Sequence, residues 1–167
     1  NLCAGLFILP FFFFSATAGQ LADKYEKTLL IKIIKACEVG IMLIAAIGFH
    51  FQQLPLLLIA LFLMGVHSSA FGPIKYAILP QTLTKNELVG GNALVETGTS
   101  LAILIGSMLG GFLIALKPSG RELVSWAVLM IAVIGFIASW KIPRAESANK
   151  DLVINWNPFT ETWRNFI

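Results

Sequence analysis

The stretch LFLMGVHSSAFGPIKYAILPQTL, residues 61–83, is apolar over a length that suits lipid, yet it holds His67, a Gly-Pro pair and Lys75. Its apolarity is continuous rather than alternating, which reads as helix. An open sheet would leave its backbone groups unpaired in hydrocarbon. An ionisable side chain inside such a run is costly and marks a candidate functional position. The rest of the chain supplies the setting for that lysine and histidine.

Of 167 residues, 57% are hydrophobic and 13% charged, and the mean hydropathy is +0.81. A soluble domain carries about 25% charged residues, so the solvent of this chain is mostly lipid. Thirteen phenylalanines against two tyrosines point the same way. The net charge of +3 is not a nucleic-acid signal, because the basic residues lie between apolar runs and not on one patch. Cys3 and Cys37 are lone residues in apolar stretches, expected as small buried thiols and not as a disulfide or metal pair. Catalysis has little to stand on. The chain shows no metal-ligand spacing and no nucleophile–base arrangement, and the Gly-Gly of ELVGGNALVE follows no strand. The expectation is a non-enzymatic protein without cofactor or metal.

Five runs approach the length of about 20 helical residues that crosses a bilayer: 2–18, 29–50, 54–80, 92–116 and 122–140. Asn1 already lies inside an apolar run with no basic flank before it. The chain therefore reads as part of a longer protein, with sequence expected before Asn1 and after Ile167. Segments 19–28, 81–91 and 141–167 must share one side of the membrane. With the adjacent helix ends they hold Lys24, Lys27, Lys32, Lys35, Lys75, Lys85, Lys141, Arg144, Lys150 and Arg164, against Lys117 and Arg121 opposite. The basic side is expected to be cytoplasmic, which puts the bundle in residues 1–141 and a cytoplasmic linker in 142–167. Gly106 and Gly110, with Gly111 beside them, permit close helix approach. Pro73 and Pro80 are expected to kink or end the third run. Trp126 and Trp140 near the two ends of the last run fit an aromatic belt.

Two tracts carry a family resemblance. The loop GQLADKYEKT, residues 19–28, resembles the major facilitator signature between the second and third helices, with Gly19, Asp23, Lys24 and Lys27 matching. Glu26 stands where that family usually has glycine, and Thr28 where a second basic residue is frequent. From the residues themselves, Gly19 permits a tight exit from the first span and Asp23 suits a helix cap or a basic partner. The tract GPIKYAILPQTLTKNELVGGNALVE, within residues 72–111, is similar to the bacterial lysophospholipid transporter branch of that superfamily, as is INWNPFTETWRN at 154–165.

The resemblance implies an all-α membrane protein, a partial N-terminal half of the transporter bundle in which the five spans are the second to sixth helices. It implies that the first helix and the C-terminal half lie elsewhere in the protein. It further implies movement of lysophospholipid, chiefly lysophosphatidylethanolamine, across the bacterial inner membrane by alternating access. An acyltransferase, fused or separate, would then restore the second chain. The same loop in the family is a cytoplasmic latch between bundle halves. A proton-coupled drug exporter and a membrane platform for a fused acyltransferase are the rival readings.

Depth sorts the polar candidates, at about 1.5 Å per helical residue. His67 lies twelve residues after Pro55, near the middle of the core, where it suits proton transfer or a phosphate. Lys75 lies nearer the basic end and suits a lipid phosphate or a carboxylate, with Glu96 as the expected partner; snorkelling is the plain alternative. Glu38 follows Lys35 by three residues, the spacing of a local ion pair. Substrate-binding or coupling roles are therefore expected among His67, Lys75, Glu96 and Glu38.

Overall fold

A computed structural model describes residues 1–155, so the tract at 154–165 and Arg164 lie almost wholly outside the described residues. The described chain is helical: α1 (Leu2–Lys24), α2 (Lys27–His50), α3 (Leu54–Ala77), the single turn α4 (Leu79–Thr82), α5 (Leu88–Ala115) and α6 (Gly120–Ser139). Helix α3 packs on both α1 and α2, α2 packs on α6 through its other side, and α5 touches α6. Four helical stretches are long and apolar enough to cross a membrane: Leu2–Lys24, Leu54–Thr82, Leu88–Ala115 and Gly120–Ser139. Helix α2 has 24 residues as well, but its first half carries Lys27, Lys32, Lys35 and Glu38. The chain is a multi-pass membrane protein.

Local chemistry explains most helix ends. Helix α1 stops where Tyr25 turns extended, so Gly19 sits inside the helix and makes no exit. The polar residues Gln20, Asp23 and Lys24 after Gly19 do not break a helix whose backbone bonds are already made. Helix α3 carries Pro55 in its first turn, where a missing N–H costs nothing, and runs through Pro73 to Ala77. The break comes at Ile78, before Pro80 opens α4. Before α5, Thr84 and Glu87 stand at the Thr-x-x-Glu spacing and make one half of a capping box, the Glu87 side chain reaching back to Thr84. The Thr84 N–H and hydroxyl donate to Glu87 Oε2 at 3.0 and 2.7 Å, and the Glu87 N–H donates to the Thr84 carbonyl. The Thr84 hydroxyl and then its N–H hold the exposed Glu87 carboxyl below the usual range. That contact is fully present above the ordinary carboxylate pKa and is lost as pH falls through the lowered one.

Glycine contacts set the closest helix crossing. A Cβ at Gly65 on α3 would run into the Phe7 carbonyl and touch Pro10 of α1, and Pro10 is itself buried. Gly48 faces side-chain atoms of Leu57, not backbone. By contrast, Gly106, Gly110 and Gly111 have nothing within 4 Å, and α5 contains no buried residue. The Gly-x-x-x-Gly reading on α5 therefore yields no helix contact among the described residues; the small-residue crossing lies between α1 and α3. Gly65→Ala is expected to destabilise by about 1–3 kcal/mol, because the obstructing atom is backbone and the helices must part. A fall in the thermal midpoint of the detergent-solubilised protein would show it. Cys3 and Cys37 are both exposed, which corrects the expectation of buried thiols: each lies on an outward helix face.

Candidate functional site

The basic segments meet at one end of the bundle. Beyond α6, residues 143–155 lie across the α1–α2 loop as a strap. The Thr28 hydroxyl donates to the Pro143 carbonyl at 2.8 Å and accepts from the Ala145 N–H at 2.9 Å. The Lys27 N–H reaches the Ala145 carbonyl, and Lys27 Nζ donates to the Glu146 carbonyl at 3.2 Å. Gln20 grips the backbone of Asn155 through both its amide oxygen and nitrogen. Ala145, only 2% exposed, completes an apolar cluster with Ala22, Ile31, Ile74 and Ile78.

Of the four loop candidates, Lys27 is the one drawn inside, 2% exposed, where the Glu146 backbone carbonyl accepts from its ammonium. Asp23 is exposed, and it is its carbonyl that accepts, from the Asn149 N–H. Lys24 lies 5.9 Å from the centre of the Tyr25 ring. Thr28, which departs from the family pattern, binds the strap through one hydroxyl that both donates and accepts. A hydroxyl used as donor and acceptor at once leaves no mark in sequence spacing. Thr28→Val keeps the shape but leaves a buried N–H without its acceptor and a carbonyl without its donor. It should cost about 1–3 kcal/mol, seen as faster amide exchange or earlier proteolysis across residues 143–155.

Deeper in the bundle, α2 and α3 bring three ionisable side chains together. Lys35 Nζ lies 2.6 Å from Glu38 Oε2, and His67 Nε2 lies 3.4 Å from the same oxygen. The second approach is within ion-pair distance but is poorly aimed for a hydrogen bond; neither ring nitrogen of His67 has a hydrogen-bond partner. His67 is buried, and its ring stacks on Phe71 with 6.0 Å between centroids. Lys35 Nζ sits 4.9 Å from the centre of the same Phe71 ring. Gly135 on α6 lies beside the Lys35 side chain, and a Cβ there would make ordinary contact, 3.7 Å from Nζ. Glu38 is thus more than half of a local pair: it joins two helices.

The expected Lys75–Glu96 pair is not formed. Lys75, half-buried, donates to Thr99 Oγ1 at 3.2 Å, one turn further along α5, and Glu96 is exposed. Glu96 and Thr99 lie three residues apart on a similar face, and the side chain of Lys75 reaches the neutral one. Thr99 in turn donates to the Val95 carbonyl. Among the described residues Lys75 has no carboxylate within ion-pair distance, and its charge stays uncompensated. Its ammonium also lies 4.8 Å from the centre of the Tyr76 ring. No cluster of three or more metal-binding side chains occurs among the described residues.

The model of the Major Facilitator Superfamily matches residues 1–166. The chain is 32% identical to the lysophospholipid transporter LplT of Cronobacter sakazakii over 97% of its own length. It is 29% identical to LplT of Klebsiella pneumoniae and 31% identical to LplT of Escherichia coli, each over 96% of its length. It spans 37–40% of the length of these relatives. No solved structure matches. With a family match from end to end of an all-helical membrane bundle, the chain belongs to the Major Facilitator Superfamily.

Proposed function

We propose that this chain forms part of a transporter that moves lysophospholipid, of the lysophosphatidylethanolamine type, across the bacterial inner membrane by alternating access. In this reading the strap end faces the cytoplasm, following the basic bias of its segments. The five long helices stand as the second to sixth of the transporter, and residues 19–28 act as its latch. The observation that carries the reading is Lys75: a half-buried cation held by a neutral hydroxyl, with no carboxylate to compensate it. Such a charge is costly in a membrane unless an anion meets it, and a lipid phosphate is that anion. The names of the relatives supply the substrate class.

Glu96, exposed one turn from Thr99, stands on the same side as a group for the ammonium of an ethanolamine head. Glu38 and His67, which face each other across α2 and α3 at 3.4 Å, are assigned coupling. A buried acid–imidazole pair suits proton exchange, so these two residues carry the coupling step and Lys75 carries the head group.

The full-length protein in detergent tests the assignment. Lysophosphatidylethanolamine is expected to raise its thermal midpoint by binding the folded state, and Lys75→Ala is expected to remove that rise. Stabilisation by a cationic drug, and not by the lipid, would overturn the reading in favour of an exporter.

A further inference from the structure

Helices α2 and α6 enclose a groove at the end of the bundle opposite the strap, and nothing in the transport reading uses it. Its cavity of about 420 Å³ lies within the range of ligand sites. Each helix contributes a stripe at the same spacing, Leu43, Ile47 and His50 from α2 and Glu122, Trp126 and Leu129 from α6. Positions i, i+4 and i+7 share one helix face, so the two stripes face each other. The stripes run antiparallel in sequence and match in chemistry. Both titratable groups stand at the mouth, where α2 ends and α6 begins, and both leucines stand about 10 Å deeper at 1.5 Å per residue.

The mouth has a defined polarity. Glu122 lies in the first turn of α6 and forms no ion pair with any described residue. Its neighbour Arg121 lines a different cavity, with Gly48, Gln52 and Leu57. The Glu122 carboxylate is left to face the groove, with the imidazole of His50 across from it. The exposed Trp126 indole adds an aromatic face beside the acid. A carboxylate with an aromatic face binds an ammonium group, and an imidazole N–H donates to a phosphate oxygen. Apolar walls below accept an alkyl chain. We propose that this groove holds a phospholipid of the surrounding leaflet whose head carries an ammonium group, with one acyl chain lying between α2 and α6. The site is separate from Lys75 and does not rest on the transport reading.

Brominated lipids test this through Trp126, which lines the groove. The full-length protein is reconstituted in vesicles containing phosphatidylethanolamine, phosphatidylcholine or phosphatidylglycerol with brominated acyl chains, and the quenching lost in Trp126→Phe is taken as the groove's signal. Half-maximal quenching is expected at a mole fraction lower by about two- to fivefold for the two ammonium-headed lipids than for phosphatidylglycerol, the scale of an exposed ion pair. Glu122→Gln should abolish that preference and Glu122→Asp should retain it, which separates a lost charge from a lost fold. Equal quenching by all three lipids, or a preference that survives Glu122→Gln, would overturn the proposal. So would a Trp126 signal that no lipid quenches, since a second copy of the chain would then fill the groove.

Discussion

Lys75→Ala in the full-length protein is expected to lower lysophospholipid transport by roughly 10- to 100-fold at equal abundance. A hydrogen bond to a charged group contributes about 1.5–3 kcal/mol, and each 1.4 kcal/mol is a factor of ten. The structure gives the reason for assigning so large an effect to one side chain. Lys75 donates to Thr99, a neutral group, and has no compensating carboxylate among the described residues. If the lysine served only to snorkel, its removal would cost packing of the alkyl stem and little else. Lys75→Arg keeps the charge and should retain a substantial part of the flux. Thr99→Val should weaken transport less, because it removes the lysine's positioning partner and leaves the charge. Flux that is unchanged in Lys75→Ala at equal abundance would return the residue to the interface.

Glu38→Leu is expected to destabilise the protein by about 3 kcal/mol, the low end of the range for breaking a buried pair from one side. Glu38 is the shared partner of Lys35 at 2.6 Å and His67 at 3.4 Å, with side-chain exposures of 15%, 21% and 7% respectively. Without it, the Lys35 ammonium keeps only the Phe71 ring beside it among the described residues. The low end applies because Lys35 is partly exposed and its stem can shift outward. The double variant Lys35→Met/Glu38→Leu should recover most of the loss, since apolar replacements of a buried pair are often neutral. Thermal midpoints of the two variants separate charge from packing: equal losses in single and double variants would mean that the cluster acts through shape alone.

Most of the fold was legible because lipid imposes a simple rule. Apolar runs of membrane length become helices, and the short polar segments at 50–54 and 117–121 hold the turns at 51–53 and 116–119. The length of α1 was harder to read. Gly19, Gln20 and Asp23 look like loop, yet their backbone bonds are satisfied in a helix that continues to Lys24. Glycine spacing misled for a related reason. Gly106 and Gly110 have the two-glycine pattern, whereas Gly65, paired at the same spacing with Ser69, has the Phe7 carbonyl against it. Helix contact depends on which faces meet, and spacing along one helix does not carry that information.

The site divides the same way. Lys35–Glu38 follows from a three-residue spacing on one helix, and His67 was singled out by its depth. Their meeting is a property of the α2–α3 packing. Lys75 was singled out by its place in an apolar run, and the expected partner was the acid at matching depth. One helical turn separates Glu96 from Thr99, and depth counting does not resolve one turn. The strap was least legible. Its bonds from Lys27, Thr28 and Gln20 run mostly to backbone atoms more than 100 residues away, and backbone atoms are the same in every sequence.

Inward movement of labelled lysophosphatidylethanolamine in liposomes carrying the full-length protein tests the central claim most directly. The account predicts movement above protein-free liposomes, reduced at least about tenfold by Lys75→Ala. Movement no faster than in protein-free liposomes, together with transport of a labelled drug by the same preparation, would contradict it.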